Sequence, residues 1–169
     1  NKGLVYSHLG AYSQSLDSHM KALDIRLSVY GETHPDVAMS YNNMGYAHNH
    51  LGAYSQALEC HEKALSIRLS VYGEAHPDVA MSYSNIGSAY SSLGEYSKAL
   101  EYHKKTLDIS LSMYGEKHYY VAVSYNNIAD LYANMGEYSQ ALEYHKKAMN
   151  AFLSLFGENH PNVAVSYKN

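Results

Sequence analysis

Asparagine returns in one column of this sequence every 42 residues, and its side-chain amide has the chemistry to bind a peptide backbone. The column holds, in chain order, Asn1, Asn43, Asn85, Asn127 and Asn169. Asn42 and Asn126 flank two of these positions. An amide offers two N–H donors and an oxygen acceptor, so it can pair with peptide groups whatever side chains a ligand carries. The alternative is structural, with the amides bonding to neighbouring segments, because buried polar groups need partners.

The elements that position these amides are predicted by the same period. Gly31 to Tyr72 and Gly73 to Tyr114 agree at 27 of 42 positions. In the first of these copies, Pro35 suits the first position of a helix. Apolar residues then recur every three or four residues from Val37 to about Leu51, which predicts a helix with one buried face. Gly52 ends this helix, and a second helix runs from Tyr54 to Tyr72 before Gly73. A strict period of this length predicts an all-α solenoid of stacked antiparallel hairpins.

The register of the repeat predicts a single array over residues 1–169. We divide it into a partial repeat at 1–30, complete repeats at 31–72, 73–114 and 115–156, and the start of a further repeat at 157–169. Asn1 and Asn169 stand in the same column, so the sequence begins and ends inside the same helix. We therefore expect a segment of a longer array.

Composition narrows the classes of partner. The chain has 169 residues, is 46% hydrophobic and carries a net charge of −4. It has no basic cluster, so neither nucleic acid nor an anionic membrane is expected as a partner. Cys60 is the single cysteine, and no apolar stretch approaches the roughly 20 residues that span a bilayer. A cytoplasmic location is expected.

Small and aromatic residues at fixed positions carry a family resemblance. They are Gly45, Gly87 and Ala129 in the first helix, Tyr41, Tyr83 and Tyr125 four residues earlier, and Ala57, Ala99 and Ala141 in the second helix. This pattern resembles the tetratricopeptide repeat signature. The GExHPDVA linker, the SYNN segment and the ALxIRLSVYG tail are more specifically similar to the repeats of kinesin light chains. Tyr119 and Tyr120 depart from the linker pattern, so we expect a less sharply turned third linker.

The resemblance implies a right-handed superhelix whose first helices line a concave groove. Asn43, Asn85 and Asn127 then form an asparagine ladder along the groove, as in kinesin light chains, and the expected function is a non-catalytic protein- or peptide-binding scaffold. Specificity would come from columns that vary between repeats: Tyr46, Ser88 and Asp130 in one, and His8, His50, Ser92 and Asn134 in another. None of these is a cation, so a Lys and Arg clamp for a terminal carboxylate is not expected.

Histidine accounts for 11 residues, and eight of them follow the period: His19, His61, His103 and His145 in the second helix, and His34, His76, His118 and His160 in the linker. Stacked repeats place equivalent positions about 10 Å apart, whereas zinc needs nitrogen ligands within about 2.1 Å. We therefore expect core packing by the first set, bonds to helix ends by the second, and neither a metal nor another cofactor.

The differences between the adjacent repeats 31–72 and 73–114 concentrate at four columns, which we expect on the surface: Tyr46/Ser88, His50/Ser92, Cys60/Tyr102 and Arg68/Ser110. Cys60 is interpreted as an incidental surface substitution, because nothing fixes a base beside it.

Two other classes of function remain open beside a binding scaffold. The array has complementary half-helices at its ends and could associate with itself head to tail, an open contact that gives filaments. An enzyme is the weaker alternative, because the sequence has no phosphate loop, nucleophile elbow or paired-ligand metal motif.

Overall fold

The computed structural model describes residues 2–157, and this part of the chain is entirely helical, without a strand. Its helices, in chain order, are α1 (Lys2–His8), α2 (Tyr12–Tyr30), α3 (Pro35–His50), α4 (Tyr54–Tyr72), α5 (Pro77–Ser92), α6 (Tyr96–Tyr114), α7 (Tyr119–Asn134) and α8 (Tyr138–Phe156). The all-α repeat predicted from the sequence is confirmed. The partial repeat expected at 157–169 lies outside the described residues, apart from Gly157.

The helix starts show why the linker sequence repeats. Pro35 opens α3, and the Nδ1 atom of His34 accepts a hydrogen bond of 3.1 Å from the backbone N–H of Asp36. His76 caps α5 through Asp78 in the same way, also at 3.1 Å. The cap satisfies one of the N–H groups that the first turn of a helix leaves without a partner. These bonds confirm the expectation that linker histidines bond to helix ends; His160 lies outside the described residues.

The second helices end on glycine. Gly73 follows α4 with φ of 74°, and its backbone N–H donates to the carbonyl oxygen of Leu69. A φ in this region favours glycine, which has no Cβ to clash. The predicted bounds of α4 are confirmed, and α3 ends at His50, one residue before the predicted Leu51.

The third linker keeps the register of the others although Tyr119 and Tyr120 replace Pro-Asp. Helix α7 begins at Tyr119, in the column of Pro35. The Nδ1 atom of His118 accepts a bond of 3.3 Å from the N–H of Tyr120, only slightly longer than at the other linkers. The expected loosening of this turn is not seen at the start of the helix.

In the hairpins α1–α2, α3–α4 and α5–α6, the core contains a histidine ring that lies against a glycine. His61 and His103 are 2% and 3% exposed. A Cβ on Gly45 would fall 2.5 Å from the Cε1 atom of His61, so only a residue without a side chain lets the ring lie this close. Around the rings, small residues such as Ala47 and Ala64 are fully buried. Core packing is thus confirmed for these two histidines, and His19 is also buried.

Two expectations about surface positions are wrong. Cys60 is 8% exposed, Arg68 5% and Ser110 3%, so all three are buried. Burial raises the pKa of the Cys60 thiol, which makes the sulfur a small core group rather than a nucleophile. The Arg68/Ser110 difference therefore changes the interior of the protein, with consequences described below.

Candidate functional site

Helices α3, α5 and α7 form one face of the array, here called the first-helix face, which carries the asparagine column. The Nδ2 atom of Asn85 donates a hydrogen bond of 2.8 Å to the Oδ1 atom of Asn42. This bond joins α5 to α3 and shows that adjacent first helices meet along this face. Asn43, Asn85 and Asn127 are all half-buried.

The asparagines of the column have different roles. Asn85 is held by Asn42, which is the structural arrangement that the sequence left open. Asn127 cannot repeat this bond, because Ser84 stands in the column of Asn42 and its side chain is shorter. Among the described residues, the side chain of Asn127 has no hydrogen-bond partner. The amide of Asn85 is therefore partly committed to the fold, whereas that of Asn127 is not.

Asn126 and Asp130 come together on His145 of α8. The Oδ1 atom of Asn126 lies 3.3 Å from Nδ1 of His145, and a carboxylate oxygen of Asp130 lies 3.7 Å from its Nε2. Partial burial raises the pKa of Asp130, and the nearby imidazole opposes that rise. In this repeat Ala129 occupies the glycine column, so the ring cannot lie against the helix as His103 does.

Tyr46 and His50 form an aromatic cluster with Tyr12 of α2. The rings of Tyr12 and His50 are stacked with centroids 4.3 Å apart, and Tyr46 meets His50 edge-on at 4.4 Å. Tyr46 is nevertheless 49% exposed. It presents one ring surface to solvent while the cluster fixes its position, which suits a contact with a ligand side chain.

The remaining predicted positions are exposed but make no shared cluster. The hydroxyl of Ser88 donates to the carbonyl oxygen of Ser84, one turn earlier in α5, at 3.0 Å. Asn134 is exposed at the last position of α7. The predicted residues thus follow one another along the face. Two pairs share a neighbour: Asn126 and Asp130 both contact His145, and Tyr46 and His50 both contact Tyr12.

A cavity of about 280 Å³ opens beside Asn85 and Asn127. Its walls come from α5, α6 and α7, and the lining includes residues that sequence reasoning missed: Thr106, Ser110, Tyr114, Tyr120 and Ser124. The sequence did hold a signal for it. Ser110 stands in the column of Arg26 and Arg68, and Thr106 in a column otherwise filled by alanine.

Within the described residues, the first-helix face carries no cation. Helices α3, α5 and α7 contain neither Lys nor Arg. Lysines of the second helices pair with glutamates one turn away, as in Lys63 with Glu59 at 2.7 Å and Lys105 with Glu101 at 2.8 Å. The hydrogen bond from Lys63 lowers the pKa of Glu59. These exposed pairs contribute little to stability.

Within residues 2–157, no group of three or more His, Cys, Asp or Glu side chains is placed to hold a metal ion. In the same part of the chain, no helix has the length and apolar character needed to cross a membrane.

Comparison with known proteins agrees with the repeat and its packing. The tetratricopeptide repeat model matches residues 1–70, 36–112 and 114–169. The chain belongs to the tetratricopeptide repeat family. No curated protein matches it closely enough to count as a relative.

Solved structures with the same fold include kinesin light chain-like proteins. A putative kinesin light chain from Podosopora anserina with nearly identical TPR-like repeats superposes with a TM-score of 0.85 at 19% identity, covering 97% of this chain and 78% of that one. BtubC (BKLC) from P. vanneervenii superposes with a TM-score of 0.83 at 23% identity, covering 98% and 69%. The apo form of RapI gives a TM-score of 0.77 at 25% identity, over 89% and 53%. The resemblance to kinesin light chain-like repeats is confirmed at the level of the fold.

Tetratricopeptide repeat proteins generally act as protein-binding scaffolds and are typically not catalytic. The chain has the helical hairpins of this family, and in several of them a glycine lets a histidine ring pack closely. Binding to proteins or peptides is therefore the general function that this family membership supports.

Proposed function

We propose that this protein binds an extended peptide along the first-helix face, with Asn127 as its principal backbone clamp. The observation that carries the proposal is the difference between two ladder positions: Asn85 bonds to Asn42 at 2.8 Å, whereas Asn127 has no such partner among the described residues. An unpaired amide on a half-buried surface gains a hydrogen bond when a peptide group arrives.

Other side chains along the first-helix face supply the remaining contacts. Tyr46 offers an exposed ring held in place by His50 and Tyr12. Asp130 adds a negative charge, and helices α3, α5 and α7 contain no Lys or Arg. This charge pattern favours a peptide with basic side chains. It disfavours an acidic peptide or a terminal carboxylate, which would need groove cations.

The proposal is tested by fluorescence polarisation with a library of short labelled peptides. Asn127→Ala should weaken the best ligand at least tenfold, because a hydrogen bond made only with the ligand is lost. Gln140→Ala, which removes an exposed amide from the second helix α8, should leave the affinity unchanged. The triple variant Asn43→Ala, Asn85→Ala, Asn127→Ala should remove binding altogether. Equal affinity of the protein and both ladder variants would show that the asparagines are only structural.

Head-to-tail self-association is the second candidate, and exposed apolar surface on α1 favours it. Val5 is 57% exposed, whereas the residues of its column, Ala47, Ala89 and Leu131, are at most 2% exposed. Ala47, Ala89 and Leu131 lie on α3, α5 and α7, and the preceding helices α2, α4 and α6 pack on these three helices. A second copy could cover Val5 in the same way. Light scattering should then show a molar mass that rises with concentration and falls to the monomer value in Val5→Lys; a constant monomer mass excludes it.

The proposal includes a purely non-catalytic role, a cytoplasmic location and no nucleic-acid partner. A net charge of −4 and the absence of cations on the first-helix face support the last of these.

A further inference from the structure

The cavity between α5, α6 and α7 lies where two other repeat interfaces hold an arginine. At the interface of α4 and α5, the Nη1 atom of Arg68 donates to the carbonyl oxygen of Asp78 at 3.1 Å and to the hydroxyl of Ser82 at 2.7 Å. Arg26 makes the equivalent bonds to Asp36 and Ser40, at 3.0 and 2.7 Å. The protein therefore builds the same guanidinium site twice.

The third interface keeps the site and lacks the guanidinium. Ser110 replaces the arginine, while Ser124 and the backbone of Tyr120 stand in the columns of the two acceptors. The hydroxyl of Ser124 donates to the carbonyl oxygen of Tyr120 at 2.8 Å. The carbonyl oxygen of Tyr120 also accepts the helical N–H of Ser124, so an incoming donor would replace the hydroxyl bond there, while the hydroxyl oxygen of Ser124 keeps its own lone pairs for a donor. Ser110 lines a cavity of about 280 Å³, and the space that its shorter side chain leaves is part of that cavity.

The cavity is large enough for one arginine side chain, and the chemistry of its lining suits one. Its volume is just below the roughly 300–1,000 Å³ of pockets for larger small molecules. Apart from the acceptors its lining is mainly apolar, with Met81 and Val123 placed to pack on a methylene stem. Asp78 is the only charged residue that lines it, and its charge is negative. Tyr114 and Tyr120, with ring centroids 5.8 Å apart, add aromatic surface that attracts a guanidinium.

The cavity is open to an incoming ligand. Met81 is 42% exposed and Tyr120 54% exposed, so the lining reaches the surface of the protein. Asn85 and Asn127 belong to the same lining, which puts the cavity next to the ladder. A peptide held by Asn127 would therefore pass the opening.

We propose that this cavity, here called the Ser110 pocket, binds an arginine side chain of the partner peptide, which supplies in trans the guanidinium that Arg26 and Arg68 supply within the chain. The guanidinium donates to the carbonyl oxygen of Tyr120 and to the hydroxyl of Ser124. Lysine fits less well, because a planar guanidinium presents several donors in a fixed geometry and stacks on aromatic rings. The inference deepens the proposed peptide binding and rests on it for the source of the arginine.

The test uses N-acetyl-arginine amide as the probe, titrated into the ¹⁵N-labelled protein at constant ionic strength. Saturable shifts are expected at the backbone amides of Thr106, Ser110 and Ser124. N-acetyl-citrulline amide, which has nearly the same shape without the charge, should bind at least tenfold more weakly, and N-acetyl-norleucine amide should do the same. Equal binding of either analogue, or no saturable shift with the arginine probe, would overturn the proposal.

Two variants fill the pocket from within. Ser110→Arg should restore the bonds of Arg68, raise the midpoint of thermal unfolding and abolish the shifts caused by the probe. Ser110→Leu should abolish them through its apolar volume alone. Retained binding in both folded variants would place the probe elsewhere and overturn the proposal. If peptides bind through Asn127 while the probe causes no shift at the Ser110 pocket, the arginine pocket is overturned and the peptide-binding function stands. If the probe binds the pocket but no peptide ligand is found, the peptide-binding function is overturned and the pocket stands as an arginine site.

Discussion

His103 lies directly against Gly87: a Cβ built on this glycine would fall 2.8 Å from the Cδ2 and Nε2 atoms of the imidazole ring. The same relationship holds for His61 and Gly45. The fourth repeat has Ala129 instead, and there His145 contacts Asn126 and Asp130. Glycine in the first helix and a buried ring in the second are therefore one packing unit.

Gly87→Ala should destabilise the protein by about 1–3 kcal/mol, because the ring of His103 must move out of a packed site. At an ordinary position inside a helix the same change stabilises by up to about 1 kcal/mol, so the sign of the effect is diagnostic. Urea unfolding measures it. Adding Ser88→Asp, which copies the Ala129–Asp130 pair, should recover part of the loss; stabilisation by Gly87→Ala alone would contradict this packing.

The buried histidines should make the protein sensitive to acid. Burial lowers the pKa of His103 from 6.5 to about 4, and that of His61 to about 4 with a smaller contribution from Arg68. Between these values the unfolded chain binds the proton that the folded chain excludes, so stability is full above pH 6.5 and falls as the pH drops towards 4. The loss is roughly 3 kcal/mol for each histidine.

Replacing one ring tests this dependence. His103→Phe removes the titrating group while keeping an aromatic ring, and it also removes an Nδ1 atom that is buried without a hydrogen bond. The slope of unfolding free energy against pH between 6.5 and 4 should fall by about half if His61 and His103 dominate it. Urea titrations at several pH values would measure the slope, and an unchanged slope would show that these rings are not responsible.

The linker histidines should contribute through capping. His76→Ala removes the acceptor for the N–H of Asp78 and the stacking of the ring on Tyr72, whose centroid is 4.0 Å away. The expected cost is about 1 kcal/mol in unfolding free energy. His76→Asn keeps a capping side chain without the stacked ring, so it should fall between the two proteins. If His76→Asn loses as much unfolding free energy as His76→Ala, the effect comes from stacking of the ring alone.

The fold could be predicted because its determinants recur: the prolines, the glycines and the apolar spacing of each hairpin repeat with the period. The division of roles along the ladder could not. Whether Asn85 bonds within the protein depends on Asn42 in the preceding repeat, and Ser84 in the same column removes that partner for Asn127. The cavity depends on one substitution within a column, where Ser110 follows Arg26 and Arg68. The sequence alone does not show that this column is buried, as Arg68 is in the structure.

The most direct test of the central claim is to follow the side-chain NH₂ signals of asparagine by ¹⁵N NMR while the best peptide from the screen is added. Peptide binding on the first-helix face should give a large, saturable shift for Asn127, a smaller one for Asn85 because its amide is already bonded to Asn42, and shifts along α5 and α7. Saturable shifts confined to the second helices, with the Asn127 signal unchanged, would contradict peptide binding on the first-helix face.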